Sequence, residues 1–163
     1  MKKLLSILSI CLVFVSCSPD RVLYDALTIK GGEAYFNSEL FNGVAFAIHS
    51  NGQLEYELNY KDGVINGLYQ RWYENGQLAS ELNYKDGEMV GLLHRWHENG
   101  QMASEVNFKD GELDGLHQEW HENGQLALER NYKDGVINGL EQTWHENGQL
   151  AFEKNYKDGE RIW

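Results

Sequence analysis

The sequence predicts an all-β, elongated repeat array in which antiparallel β-hairpins, in 24-residue units, form one twisted meander sheet. Three observations carry this. The stretch Trp72-Tyr73-Glu74-Asn75-Gly76-Gln77-Leu78 returns as Trp96 to Met102, Trp120 to Leu126 and Trp144 to Leu150, each 24 residues on, with a weaker copy at Ile48 to Leu54. Lys-Asp-Gly keeps the same spacing from Lys61, Lys85, Lys109, Lys133 and Lys157, without insertion or deletion. Between the markers, apolar and polar residues alternate as in a strand. Self-similarity at such a period means stacked supersecondary units, each covered by its neighbours, rather than one enclosed core.

The N-terminus lies outside this pattern. Lys2 and Lys3 precede an apolar run from Leu4 to Val15, too short to span a bilayer and arranged like a secretory signal, so residues 1–16 are assigned to a signal peptide. Phe14-Val15-Ser16-Cys17 resembles a bacterial lipobox, with Cys17 the residue lipidated, although Phe14 stands where leucine is usual. Cleavage near Ser16 or Ser18 by an ordinary signal peptidase would leave Cys17 a free thiol. Cys11 departs with the signal, so Cys17 would be the lone cysteine of the mature chain, and no internal disulfide can staple the fold. Two or three acyl chains would anchor it firmly. Ser18 after Cys17 resembles the enterobacterial rule for outer-membrane delivery. Residues 17–30 are a lipidated tether and lead-in, and the array occupies 31–163, with units at about 43–66, 67–90, 91–114, 115–138 and 139–162.

Without Lys2 and Lys3, 12 basic residues face 25 acidic ones, a net charge of −13. Such a surface repels nucleic acid and anionic headgroups and favours basic partners or cations. The same acidity also serves to keep an edge-rich sheet soluble.

Within a unit, Leu68, Gln70 and Trp72 alternate with Tyr69, Arg71 and Tyr73, and Leu78, Ser80, Leu82 and Tyr84 alternate with Ala79, Glu81 and Asn83. A three-residue loop, Glu74 to Gly76, pairs Trp72 with Leu78 and Leu68 with Leu82, placing the large apolar residues on one face; it predicts a type I turn with Gly76 left-handed and a G1 bulge. At Lys85-Asp86-Gly87, a two-residue Asp-Gly loop pairs Tyr84 with Met89. Met89 and Leu92 then differ in parity, which predicts a one-residue slip near Gly91. Each unit advances roughly 10 Å, so the array spans on the order of 40–50 Å. Leu68, Trp72, Leu78 and Tyr84 are expected to form four apolar ladders along one core face.

His97, His121 and His145 recur at the hairpin shoulder, one per unit and about 10 Å apart, too far to share a metal whose nitrogens must lie about 2 Å away. His94 is expected on the core face and His117 on the other, so no metal or other cofactor is expected. Glu57, Glu81, Glu105, Glu129 and Glu153 form an outward acidic ladder near Arg71 and Arg95, better explained by cross-strand pairing than by catalysis, because every unit carries the same carboxylate. No enzymatic activity is expected. The tryptophan ladder is read as core rather than a stacking platform. The positions that vary are candidates for recognising a partner: Tyr69, Leu93, His117 and Glu141; Arg71, Arg95, Glu119 and Thr143; and the shoulder residues Tyr73, His97, His121 and His145, all expected to face outward.

The unit W-[YH]-E-N-G-Q-[LM]-x-x-E-x-N-[YF]-K-D-G-x-x-x-G-L resembles the MORN repeat variant of bacterial proteins labelled YwqK-family antitoxins, from about Gly31 onward. Gly31-Gly32-Glu33-Ala34-Tyr35-Phe36 through Asn42-Gly43 resembles a degenerate opening unit, with Phe36 at the position of Tyr60 and Gly43 at that of Gly67. The resemblance implies hairpin repeats and a protein-interaction role, in some members neutralisation of a toxin. It carries over no catalytic residue, since Asn75-Gly76 and Asp86-Gly87 are structural. The leading expectation is a non-catalytic, lipid-anchored protein of the bacterial cell envelope whose repeats bind another protein. An antitoxin or immunity protein capping a basic toxin is the alternative. A glycan-binding surface, which would need Tyr69 and Tyr73 exposed together, is a third.

Overall fold

The computed structural model describes residues 19–162, so the expected signal peptide and the expected lipidation at Cys17 lie outside the described residues. The leading strands are β1 (Arg21–Leu23), β2 (Thr28–Lys30), β3 (Glu33–Phe36), β4 (Glu39–Leu40) and β5 (Gly43–Ile48). The repeats follow as β6 (Leu54–Lys61), β7 (Val64–Trp72), β8 (Leu78–Lys85), β9 (Glu88–Trp96), β10 (Met102–Lys109), β11 (Glu112–Trp120), β12 (Leu126–Lys133), β13 (Val136–Trp144), β14 (Leu150–Lys157) and β15 (Glu160–Ile162). A 12-stranded sheet runs β1-β5-β6 and onward in sequence order to β15, while β2-β3-β4 make a small sheet of their own. The long meander of antiparallel hairpins is the expected all-β array.

Both loop predictions hold. Gly76 N–H donates to the Tyr73 carbonyl and Tyr73 N–H to that of Gln77, each at 2.9 Å, closing a three-residue loop with Gly76 at φ 82°. Asn75 Oδ1 accepts from Gln77 N–H at 2.9 Å, the Asx turn that makes asparagine suitable there. Asp86 and Gly87 both have positive φ (50° and 88°), with Tyr84 opposite Met89. Two successive left-handed residues are the type I′ turn, and Asp-Gly is among the sequences that tolerate it.

The faces differ from expectation, because of where the strands slip. Trp72 pairs with Leu78 as predicted, but Arg71 then pairs with Ser80 and Tyr69 with Leu82, leaving Ala79 as an extra residue. The same bulge falls at Glu55, Ala103, Ala127 and Ala151. One extra residue reverses parity. The expected pairing of Leu68 with Leu82 is therefore replaced by Leu68 with Asn83. The slip near Gly91 exists but inserts two residues: Val106 pairs with His117 and Phe108 with Leu113, so three residues oppose Asn107 alone. Two extra residues preserve parity, and Leu93, not Leu92, shares the face of Met89.

The closed face accordingly carries Leu58, Tyr69, Leu82, Leu93 and Val106, with Leu82 only 3% exposed, whereas Leu92 is 44% exposed on the opposite, open face. Trp72, Trp96, Trp120 and Trp144 are half-buried, and Trp96 lies on the open face beside His94, ring centroids 5.8 Å apart. A single apolar face bearing leucines 68 and 92 together with Tyr84 does not form.

The N-terminal stretch is built into the fold. β1 pairs in parallel with β5, Arg21 opposite Val44. Val22, Ala34, Phe41, Ala45 and Tyr60 form a buried cluster in which Phe41 is 1% exposed. Burial, reinforced by Tyr24, pushes the Tyr60 phenol up to about 12. In this opening unit the turn lies at Asn37-Ser38 (φ 51° and 69°), and Tyr35 opposite Leu40 takes the pairing of Tyr60 with Ile65. The position expected for Phe36 is thus held by its neighbour Tyr35.

Candidate partner-binding surface

The open face is made of constant residues that pair with one another. Gln70 donates to Glu81 at 2.7 Å, Gln118 to Glu129 at 2.7 Å and Gln142 to Glu153 at 2.6 Å, while His94 Nε2 reaches Glu105 at 3.1 Å. Glu57 pairs with Arg21. The acidic ladder is therefore outward and paired across strands, but its partners are glutamines, His94 and Arg21, not the row of Arg71 and Arg95, which occupies the other face. His94 and His117 do lie on opposite faces, with the assignment reversed.

The shoulder residues are largely spent on the array itself. His49, His97 and His121 each donate through Nε2 to the carbonyl of the tryptophan in the following unit, at 2.8 to 2.9 Å, and the Tyr73 hydroxyl donates to the Trp96 carbonyl at 2.7 Å. Asn51, Asn75, Asn99 and Asn123 reach the loop glutamate carbonyl one unit on. At the other edge, Gly87 N–H donates to the Ile65 carbonyl at 2.9 Å, and the bond recurs in each unit. An imidazole and a tyrosine are interchangeable here because each offers one donor at the right reach. His145 is exposed.

The remaining candidates all fall on the closed face. Leu93, His117 and Glu141 are buried rather than outward, His117 and Glu141 each at 8% exposure, and Tyr69 is half-buried against Tyr84 with ring centroids 6.4 Å apart. His117 is enclosed by partners: Arg130 Nε donates to Nδ1 at 3.3 Å, and Nε2 lies 3.1 Å from Glu119. Since Nδ1 accepts, the ring proton sits on Nε2 and the imidazole is neutral. Burial, then the Arg130 charge, lower its pKa against the opposing pull of Glu119. Arg130 also pairs with Glu141 at 3.6 Å, and the Tyr156 hydroxyl reaches Glu141 at 3.5 Å. The row that is apolar at Leu82, Leu93 and Val106 thus becomes polar from His117 onward, and it survives burial because each group has a partner.

A second closed-face row runs Tyr56, Arg71, Ser80, Arg95, Ser104, Glu119, Leu128, Thr143 and Phe152 across consecutive strands. Its even-strand members, like Arg130 and Lys154 in the neighbouring row, were missed as candidates. The signal was available: they occupy the x positions of E-x-N and the residue before the glutamate, which change from unit to unit as their odd-strand neighbours do. A groove of about 650 Å³ where this row meets the loops is lined by residues including His49, Arg71, Tyr73, Glu74 and Glu98. Among the described residues no three His, Cys, Asp or Glu side chains gather as metal ligands, and no helix is long and apolar enough to cross a membrane.

The MORN repeat variant matches the chain five times, at residues 41–62, 65–86, 89–110, 113–134 and 137–158, in register with the hairpins above. The chain belongs to that repeat family. No curated protein matches it.

Proposed function

We propose that this MORN-variant array is a non-catalytic, lipid-anchored protein of the bacterial cell envelope that binds another protein through the more exposed of its closed-face rows, the one that includes Arg71, Arg95 and Phe152. The observation that carries the reading is the division of labour between faces. On the open face the leucine, tryptophan, glutamate and asparagine ladders repeat nearly unchanged, while the two closed-face rows change identity from strand to strand. A scaffold that must keep its period while recognising one partner needs such a division. Lipobox-like Cys17 supports the anchor, and its location outside the cytoplasm follows from the same signal. The immunity reading rests on family resemblance alone. Glycan stacking is disfavoured, because Tyr69 packs on Tyr84 and the Tyr73 hydroxyl is committed to Trp96.

A pull-down from the native envelope, comparing wild type with Cys17→Ala, tests this directly. Wild type is expected in the membrane fraction with a stoichiometric protein partner, and Cys17→Ala is expected to leave that fraction. Unchanged membrane association of Cys17→Ala would remove the lipid anchor. Recovery of no protein partner by membrane-bound wild type would remove protein binding.

A further inference from the structure

The acidity of the chain points to basic partners, but one part of the variable face carries the opposite charge. Arg71 and Arg95 flank Ser80 on adjacent strands, and Ser104 follows on the next. Both arginines are exposed, and among the described residues neither is held in an ion pair or side-chain hydrogen bond. This contrasts with Arg21 and Arg130, which pair with Glu57 and Glu141. Arg71 also lines the loop-end groove with Glu55, Glu74 and Glu98 but pairs with none of them, and along the row its strand neighbours are Ser80 and then Arg95.

The residues between the arginines are as informative as the arginines. The even-strand position of this row is Tyr56, Ser80, Ser104, Leu128 and Phe152 along the array. Ser80 stands between the arginines, where its small side chain leaves room between the guanidinium groups and adds a donor, while Ser104 is buried. Beyond them Glu119 is taken up by His117, and the row continues through Leu128 to Phe152. The stripe is thus cationic and open at one end and apolar at the other.

We propose that the row Arg71-Ser80-Arg95 docks an extended acidic segment of the protein partner, its chain crossing the strands. Two strand spacings put the arginines about 10 Å apart, and a chain in the extended polyproline II conformation, with three residues per turn and a rise of about 3.1 Å, places residues three apart on one side at about that distance. Carboxylates three residues apart therefore meet both guanidinium groups, each able to form a paired, charge-assisted hydrogen bond. Apolar residues further along the same segment would reach Leu128 and Phe152. The inference rests on the scaffold reading and refines it.

The test uses the full-length chain in detergent micelles and a fluorescein-labelled Glu-Gly-Ser repeat peptide, which places a carboxylate at every third residue. Anisotropy should report saturable binding that weakens with salt. Arg71→Gln/Arg95→Gln should reduce affinity about tenfold or more, and Gln118→Ala on the open face should leave it unchanged; both variants should keep the wild-type circular dichroism spectrum. No binding of the peptide by wild type, or equal binding by the arginine variant, overturns the proposal. Equal, arginine-dependent binding of a single-stranded oligonucleotide of the same charge overturns it too, because the row would then read charge and not a peptide. The native-envelope pull-down separates the two levels: a partner retained undiminished by Arg71→Gln/Arg95→Gln sinks the docking row while leaving the scaffold intact.

Discussion

His117 illustrates how one residue changes character when its neighbours are in place. On sequence alone it is a variable, outward histidine; in the fold it is a buried neutral base, accepting from Arg130 and donating to Glu119. The groups that face it are Arg130, Glu119 and Arg95, with Glu141 next to Arg130. Because its folded pKa lies below the ordinary value of 6.5, the unfolded chain takes up the proton first as pH falls. Stability is therefore full above about 6.5 and declines with falling pH until the folded pKa is reached. Thermal melts between pH 7.5 and pH 5 should show this decline in wild type, and His117→Leu, which restores the residue type of Leu93, should show a shallower one. Equal slopes in the two proteins would mean that other groups carry the acid dependence.

At the scale of the strand, the single extra residue at Ala79 decides which leucines matter. Sequence patterning alone puts Leu68, Leu82 and Leu92 on one core face; the bulge keeps Leu82 there and turns Leu68 and Leu92 to the open face. Leu82→Ala should cost about 2–5 kcal/mol, as buried leucine truncations do, and Leu92→Ala should stay within about 1 kcal/mol, as exposed substitutions do. Urea unfolding of the two variants measures the difference, and a reversed order would restore the unbulged register. The loops were more legible because their chemistry is local. Asn-Gly and Asp-Gly specify left-handed backbone through a few neighbouring atoms, whereas a bulge at a small, ordinary Ala79 has no comparable signature.

Across the whole molecule, order is sustained by contacts between successive units, and one end holds a compact core. The shoulder, loop and turn bonds all run from one unit to the next, so stability should accumulate along the array by nearest-neighbour terms. The N-terminal cluster around Phe41 differs: the small sheet β2-β3-β4 and the parallel strand β1 close over it. Phe41→Ala should therefore cost about 3–5 kcal/mol, with unfolding spreading from that end. Hydrogen exchange followed by mass spectrometry should find protection lost first in residues 21–60 of the variant; uniform loss would mean that the cluster is not a separate stabilising cap.

The sequence by itself determined the period, the hairpin, both loop types and membership of the MORN-variant family, because each depends on residues close together and repeated five times. It also identified most of the variable positions. The tertiary structure decided which way those positions face, that the shoulder histidines bond to the next unit, and that Arg71 and Arg95 stand open beside Ser80. Facing is a parity property, and one unpaired residue between two ladders reverses it for every side chain beyond. A repeating pattern carries that reversal identically in every unit, so the copies cannot correct one another.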